Sequence, residues 1–164
     1  MNDFAKVQVD VARAIPHEER FRKEIEDIIG KDLRKDVRQQ NKKSTPIDFD
    51  PIDYMVFDKD CDIVKGYIEI KVRPKYSTKT IPDVIIDHRK MVAFQLKNFT
   101  TGIPVFYAIR FKDKDIVYEY NPTHHFPIKH GGRTKNTRTA YDIKEVQYIP
   151  MKYFRDLKKE SIVL

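Results

Sequence analysis

Apolar and polar positions along this chain follow two different periods. Between Pro16 and Ile29, the residues Phe21, Ile25, Ile28 and Ile29 recur at helical spacing. Pro16 suits a first helical turn, Glu18 and Glu19 follow it, and Gly30 provides a stop, so a helix is predicted over Pro16–Ile29. The polar stretch from Lys31 to Ser44 holds at most a short strand near Val37. Ile52 to Phe57 is short, apolar and rich in β-formers, which predicts a strand. From Val64 to Val72 the pattern alternates, with Ile68, Ile70 and Val72 on one face and Tyr67, Glu69 and Lys71 on the other. Asp58 to Asp62 reads as the turn between these two strands, and Pro74 ends the second.

A second helix is predicted from His88 to Phe99, with Met91, Phe94, Gln95 and Leu96 turned inward and Gly102-Ile103-Pro104 closing it. Val105 to Phe111 is almost continuously apolar, as a strand covered on both faces would be. Further strands are expected at Ile116–Tyr120 and near Val146–Ile149, then a short last helix at Met151–Lys159. This order predicts an α/β domain, a mixed central β-sheet flanked by helices, built as one unit over residues 1–164.

Composition narrows the classes. The chain has 164 residues, 40% of them hydrophobic and 35% charged, with ten Phe and nine Tyr. That supports a packed core and excludes a disordered chain. No apolar run approaches the ~18 residues of a membrane span, and the first twenty residues lack a basic end followed by an apolar stretch, so no secretory signal is expected. The single cysteine, Cys61, cannot form an internal disulfide, which fits a reducing, cytoplasmic setting. Lys and Arg outnumber Asp and Glu by 32 to 25, a net +7 that favours polyanions. Within the glycine-containing loop KHGGRTKNTR, Lys129, Arg133, Lys135 and Arg138 are uninterrupted by any acid, so the loop is a candidate phosphate clamp.

Three residues carry candidate chemistry because each is costly where it stands. Asp53 lies in an apolar strand, while Glu69 and Lys71 lie two apart in the next and share a face. If helices cover that face, the charges must be paired or bind a metal to offset several kcal/mol of desolvation each. Pairing of the two strands brings Asp53 close to Glu69. Two carboxylates suit Mg²⁺ or Mn²⁺, and a lysine beside them can orient a water and stabilise negative charge. This set can hydrolyse a phosphodiester.

The stretch Pro51-Ile52-Asp53, a 15-residue interval, then Glu69-Ile70-Lys71 resembles the PD-(D/E)xK nucleases, as does the order of elements over Pro16–Phe111. In this sequence Ile52 separates the proline from the aspartate. The resemblance implies a restriction-endonuclease-like core at about residues 16–111, with additions at 112–164. It implies Asp53 and Glu69 as metal-binding acids, Lys71 as catalytic lysine, and DNA as substrate. The same fold often takes a further acid from its first helix, for which Glu19 and Glu24 are candidates, and a polar residue near the site from its second, for which Lys90 is one. Arg73 continues the Glu69–Lys71 face toward a phosphate. Among the substrates this fold serves, branched DNA fits a small basic domain best, and a resolvase version would act as a homodimer.

Two other patterns compete. Asp58, Asp60, Asp62 and Glu69 match positions 1, 3, 5 and 12 of an EF-hand, but Ile63 stands where that loop needs glycine and the flanks are β-rich. His124, His125 and His130 lie in a proline-bounded loop without the spaced partners of a zinc site. The alternative function is a non-catalytic nucleic-acid-binding protein on the same fold, which the intact Asp53, Glu69 and Lys71 disfavour.

Overall fold

A computed structural model describes residues 3–35, 52–132 and 143–164. The elements are helix α1 (Asp3–Ile29), strands β1 (Asp32–Lys35), β2 (Tyr54–Phe57), β3 (Val64–Arg73) and β4 (Asp83–Asp87), and helix α2 (His88–Thr101). Strands β5 (Val105–Phe111), β6 (Asp115–Glu119), β7 (Ile128–Gly132), β8 (Ile143–Pro150) and β9 (Arg155–Asp156) follow. They form one mixed sheet in the order β1-β2-β3-β5-β6-β9 and a second, antiparallel sheet in the order β4-β8-β7. Within the larger sheet β3 and β5 run parallel and the other pairs antiparallel. The α/β architecture matches the expectation from sequence.

The alternation in β3 sets the layers. Ile68 and Ile70 pack with Phe21, Ile25 and Ile29 of α1, together with Phe106, Ala108 and Val117. Tyr67 faces the other way, into a core shared with Met91 and Phe94 of α2, Tyr107 and Ile109 of β5, and Val84, Ile86 and Ile149 of the smaller sheet. The central strands are therefore covered on both faces, which explains the near-continuous apolar run of β5.

Several elements depart from the sequence pattern. α1 begins well before Pro16, which lies inside the helix instead of in its first turn. The strand expected near Val37 lies outside the described residues, while β1 forms just ahead of it and buries Leu33. In α2 the inward residues are Met91, Ala93 and Phe94, whereas Gln95 and Leu96 are exposed. Leu96 follows Phe94 by two residues, about 200° around a helix, so the two cannot share a face. The last helix is absent. In its place two 3₁₀ turns, Met151–Tyr153 and Lys159–Ser161, flank β9, which pairs with Ile116 and Val117. That pairing covers the outer edge of β6, an edge that would otherwise present unpaired backbone.

Candidate active site

The centre of the arrangement is a reciprocal clasp between Asp53 and β3. β2 runs antiparallel to β3 with Tyr54 opposite Ile68, so Asp53, one residue earlier, arrives beside Glu69. The Asp53 backbone N–H donates to Glu69 Oε2 at 3.2 Å, and the Ile70 N–H donates to Asp53 Oδ2 at 3.1 Å. Each acid thus accepts a backbone bond from the other's strand, and Glu69 Oε1 and Asp53 Oδ1 stand outside these bonds. Glu69 is only 8% exposed. Burial and the nearby Asp53 charge push its carboxyl up to about 8, although Lys90 and the Asp53 N–H work against that rise.

Lys90, in the first turn of α2, places Nζ 3.0 Å from Glu69 Oε2. It precedes the buried Phe94 by four residues, so both point toward the sheet. Helix α2 is fixed at this end by its N-cap, where the Asp87 carboxylate accepts from the Arg89 N–H at 3.0 Å and also pairs with Lys144.

Lys71 and Arg73 extend β3 beyond the first paired residue of β2. There the opposite layer reaches the site. Glu18 of α1 brings Oε1 to 4.0 Å from Lys71 Nζ. Its carboxyl is raised by desolvation, lowered by Lys71 and raised again by Asp53. Five charged side chains from four segments of the chain (Glu18, Asp53, Glu69, Lys71 and Lys90) therefore converge. Covering most of the sequence, residues 10–157, the family model described as "Phage putative PDDEXK endonuclease" matches this chain. The chain belongs to that family. No curated protein and no solved structure matches it.

Membership makes the fold and the nuclease class secure, and the geometry shows how this member of the PDDEXK endonucleases arranges its charges. The acid that α1 brings beside Lys71 is Glu18. Glu19 instead closes on Arg22 at 2.5 Å, and Glu24 pairs with Arg20 and Arg110. The signal was present in the helical phase: Glu18 precedes Phe21, Ile25 and Ile29 by three, seven and eleven residues, on the line of the buried stripe. Glu19 and Glu24 fall to either side of it.

The candidate clamp is described only at its start. Lys129 is exposed on β7, with Nζ 5.6 Å from the centre of the Tyr148 ring. Arg133, Lys135 and Arg138 lie outside the described residues. The competing patterns resolve into structure. Asp58 pairs with Lys31, and Asp62 with Arg34 at 2.7 Å, in the turn between two strands. His124 packs among Tyr118, Phe126 and Tyr153, with Nδ1 3.3 Å from the Tyr118 hydroxyl.

Among the described residues no group of three or more His, Cys, Asp and Glu side chains is gathered as a metal cage. The donor set that remains, two adjacent carboxylates with one oxygen each outside the clasp, suits a hard divalent cation that keeps several waters. A cation there would relieve the repulsion that raises Glu69.

Proposed function

We propose that this PDDEXK family member is a Mg²⁺- or Mn²⁺-dependent DNA endonuclease in which Asp53 and Glu69 hold the metal and Lys71 serves the attacking water. The observation that carries the reading is the clasp: a buried Glu69 held against Asp53, its carboxyl raised by burial and then by that neighbour. At structural acids in this chain, such as Glu24 and Asp58, the hydrogen bond from a cation outweighs burial and lowers the carboxyl, whereas at Glu69 burial and Asp53 outweigh Lys90. When bound, the divalent ion supplies a charge sink for the dianionic transition state and acidifies the attacking water.

The chain's own residues then have distinct tasks. Asp53 is oriented by the Ile70 N–H, so its carboxylate is fixed before substrate arrives. Lys71 keeps Nζ at the open end of β3, where it can donate to a water or to a phosphate oxygen as negative charge develops. Glu18 orients Lys71 from the far layer. Lys90 holds Glu69 from above and adds positive charge over the carboxylates.

DNA as the substrate is supported by the family's description and by the net charge of +7. The proposal extends to branched DNA cut by a homodimer, which suits a small basic chain acting as one nuclease unit.

The test is cleavage of labelled linear duplex, single-stranded and four-way-junction DNA with Mg²⁺, Mn²⁺ or EDTA, using wild type, Asp53→Asn and Lys71→Ala. Metal-dependent cutting that both substitutions abolish, with DNA binding retained, is expected, and the junction should be cut fastest. Equal rates on junction and linear DNA would remove the branched-substrate part. Binding without cutting by wild type would replace the nuclease with a non-catalytic binding protein.

A further inference from the structure

Tyr107 stands directly beside Glu69. The two are Cα partners in the parallel β3–β5 register, so their side chains leave the sheet on the same face. Phe94 of α2 meets the Tyr107 ring edge-on, with centroids 6.1 Å apart, and fixes its orientation. The residue is 4% exposed, yet its hydroxyl forms no hydrogen bond among the described residues. Buried tyrosine hydroxyls usually find a partner, and one left without costs the desolvation of a polar group. A phenylalanine would fill this core position without that cost.

Burial raises the phenol first of all, and the charges of Arg73, Glu69, Asp53 and Glu18 also act on it, as its place beside Glu69 in the sheet requires. Arg73 lies on the same face of β3 as Glu69 and Lys71, half-buried, and forms no salt bridge among the described residues. Arg73 acts on the Glu18 carboxyl without bonding it directly, and a buried donor hydroxyl near a guanidinium with no direct salt bridge among the described residues is an environment for an anion. Lys71, two residues before Arg73, adds a second cation at the same end of the strand.

We propose that the Tyr107 hydroxyl and the Arg73 guanidinium form a phosphate subsite beside the carboxylates, with the phenol donating to a non-bridging oxygen of the scissile phosphate. The proposal rests on the nuclease reading for its substrate, but the subsite itself is defined by anion chemistry. It assigns the otherwise uncompensated hydroxyl to the bound state, where a preorganised donor meets charge that grows toward the transition state. Arg73 supplies the charge, and Tyr107 the direction.

The experiment compares wild type, Tyr107→Phe and Arg73→Ala in two assays. In single-turnover cleavage with Mn²⁺, Tyr107→Phe should slow the reaction about 10- to 100-fold while DNA affinity stays within about two-fold. Its melting temperature should equal or exceed that of wild type, because an unsatisfied buried hydroxyl has gone. In the second assay, inorganic phosphate at millimolar concentration should raise the melting temperature of wild type, and that protection should shrink in both variants. Cleavage by Tyr107→Phe within two-fold of wild type would overturn the proposal. So would equal phosphate protection, or a fall of several degrees in its melting temperature, which would make the hydroxyl structural. If wild type fails to cut any DNA while phosphate protection still depends on Tyr107 and Arg73, the nuclease reading fails and the anion subsite stands.

Discussion

Two charged clusters bracket helix α1, and they are built on opposite principles. At one, Arg110 of β5 lies 4.4 Å from the centre of the Phe21 ring and bonds Glu24 of α1 and Asp115 of β6. The Arg110 hydrogen bond holds Glu24 below the ordinary carboxylate range, and the acids raise Arg110 in turn. Every charge there has its opposite. At the other, Asp53 and Glu69 face each other across two strands, and burial together with mutual repulsion raises Glu69 to about 8. The first cluster stabilises the ionised forms and ties helix to sheet. The second holds an acid, Glu69, whose ionisation burial and the neighbouring Asp53 oppose, a condition suited to receiving a cation. Ion pairing alone therefore does not mark the site in this protein; the direction of the shift does.

The largest effect expected is on chemistry. Asp53→Asn and Glu69→Gln should each reduce metal-dependent cleavage by about 1,000-fold or more, measured under single-turnover conditions. The melting temperature of Asp53→Asn should not fall, because it removes one of two repelling acids, while Glu69→Gln sets that relief against the loss of the Lys90 ion pair. At the other cluster, Arg110→Met should leave cleavage within a few-fold of wild type at a temperature where it remains folded. It should destabilise the protein by about 1–3 kcal/mol in urea unfolding, since at this part-buried position Asp115 loses its Arg110 partner and Glu24 keeps only Arg20. A large loss of cleavage in Arg110→Met without loss of stability would erase the contrast.

The two clusters should also answer pH with opposite sign. Glu69 binds its proton more tightly in the folded chain, so its contribution is complete below pH 4.5 and is lost as pH rises through about 8. Metal-free wild type should lose of the order of a few kcal/mol between those limits from this group, and Glu69→Gln should flatten the decline. Glu24, held low, contributes stability above pH 4.5 that is lost as pH falls below it. Melting curves from pH 3 to 9 for wild type, Glu69→Gln and Glu24→Gln separate the two.

The smallest effect sharpens the division within α1 itself. Glu18→Gln should slow cleavage about ten-fold by loosening Lys71, while Glu19→Gln, which only loses a surface pair with Arg22, should change stability by ~0.5 kcal/mol or less. Equal effects of the two on cleavage would remove Glu18 from the site.

Which parts of this were legible in the sequence follows from the range of the interactions. β3 announced itself because alternation is local, and the clasp followed from pairing two neighbouring strands across a short turn. The helical phase also holds Glu18, whose place on the Phe21–Ile25–Ile29 stripe, and not its residue type, separates it from Glu19 and Glu24. β4 and β7 could not be read locally. Five-residue runs such as Asp83–Asp87 carry little period, and Ile128–Gly132 contains two glycines; both become strands by pairing with β8, up to 67 residues away in the case of Asp83 and Pro150. β9 is likewise created by the edge of β6 that it covers. Tyr107 looked like one more apolar member of a buried strand, and its hydroxyl acquired meaning only through its register with Glu69.

The central claim is that the Asp53–Glu69 clasp is a metal site, and Mn²⁺ binding by isothermal titration calorimetry tests it most directly. At pH 7, wild type should bind Mn²⁺ with release of about one proton, seen as a dependence of the apparent enthalpy on the buffer, because the raised Glu69 must deprotonate. Asp53→Asn should abolish the binding and the proton release together. Undiminished Mn²⁺ affinity in Asp53→Asn, or binding by wild type without proton release, would contradict the account.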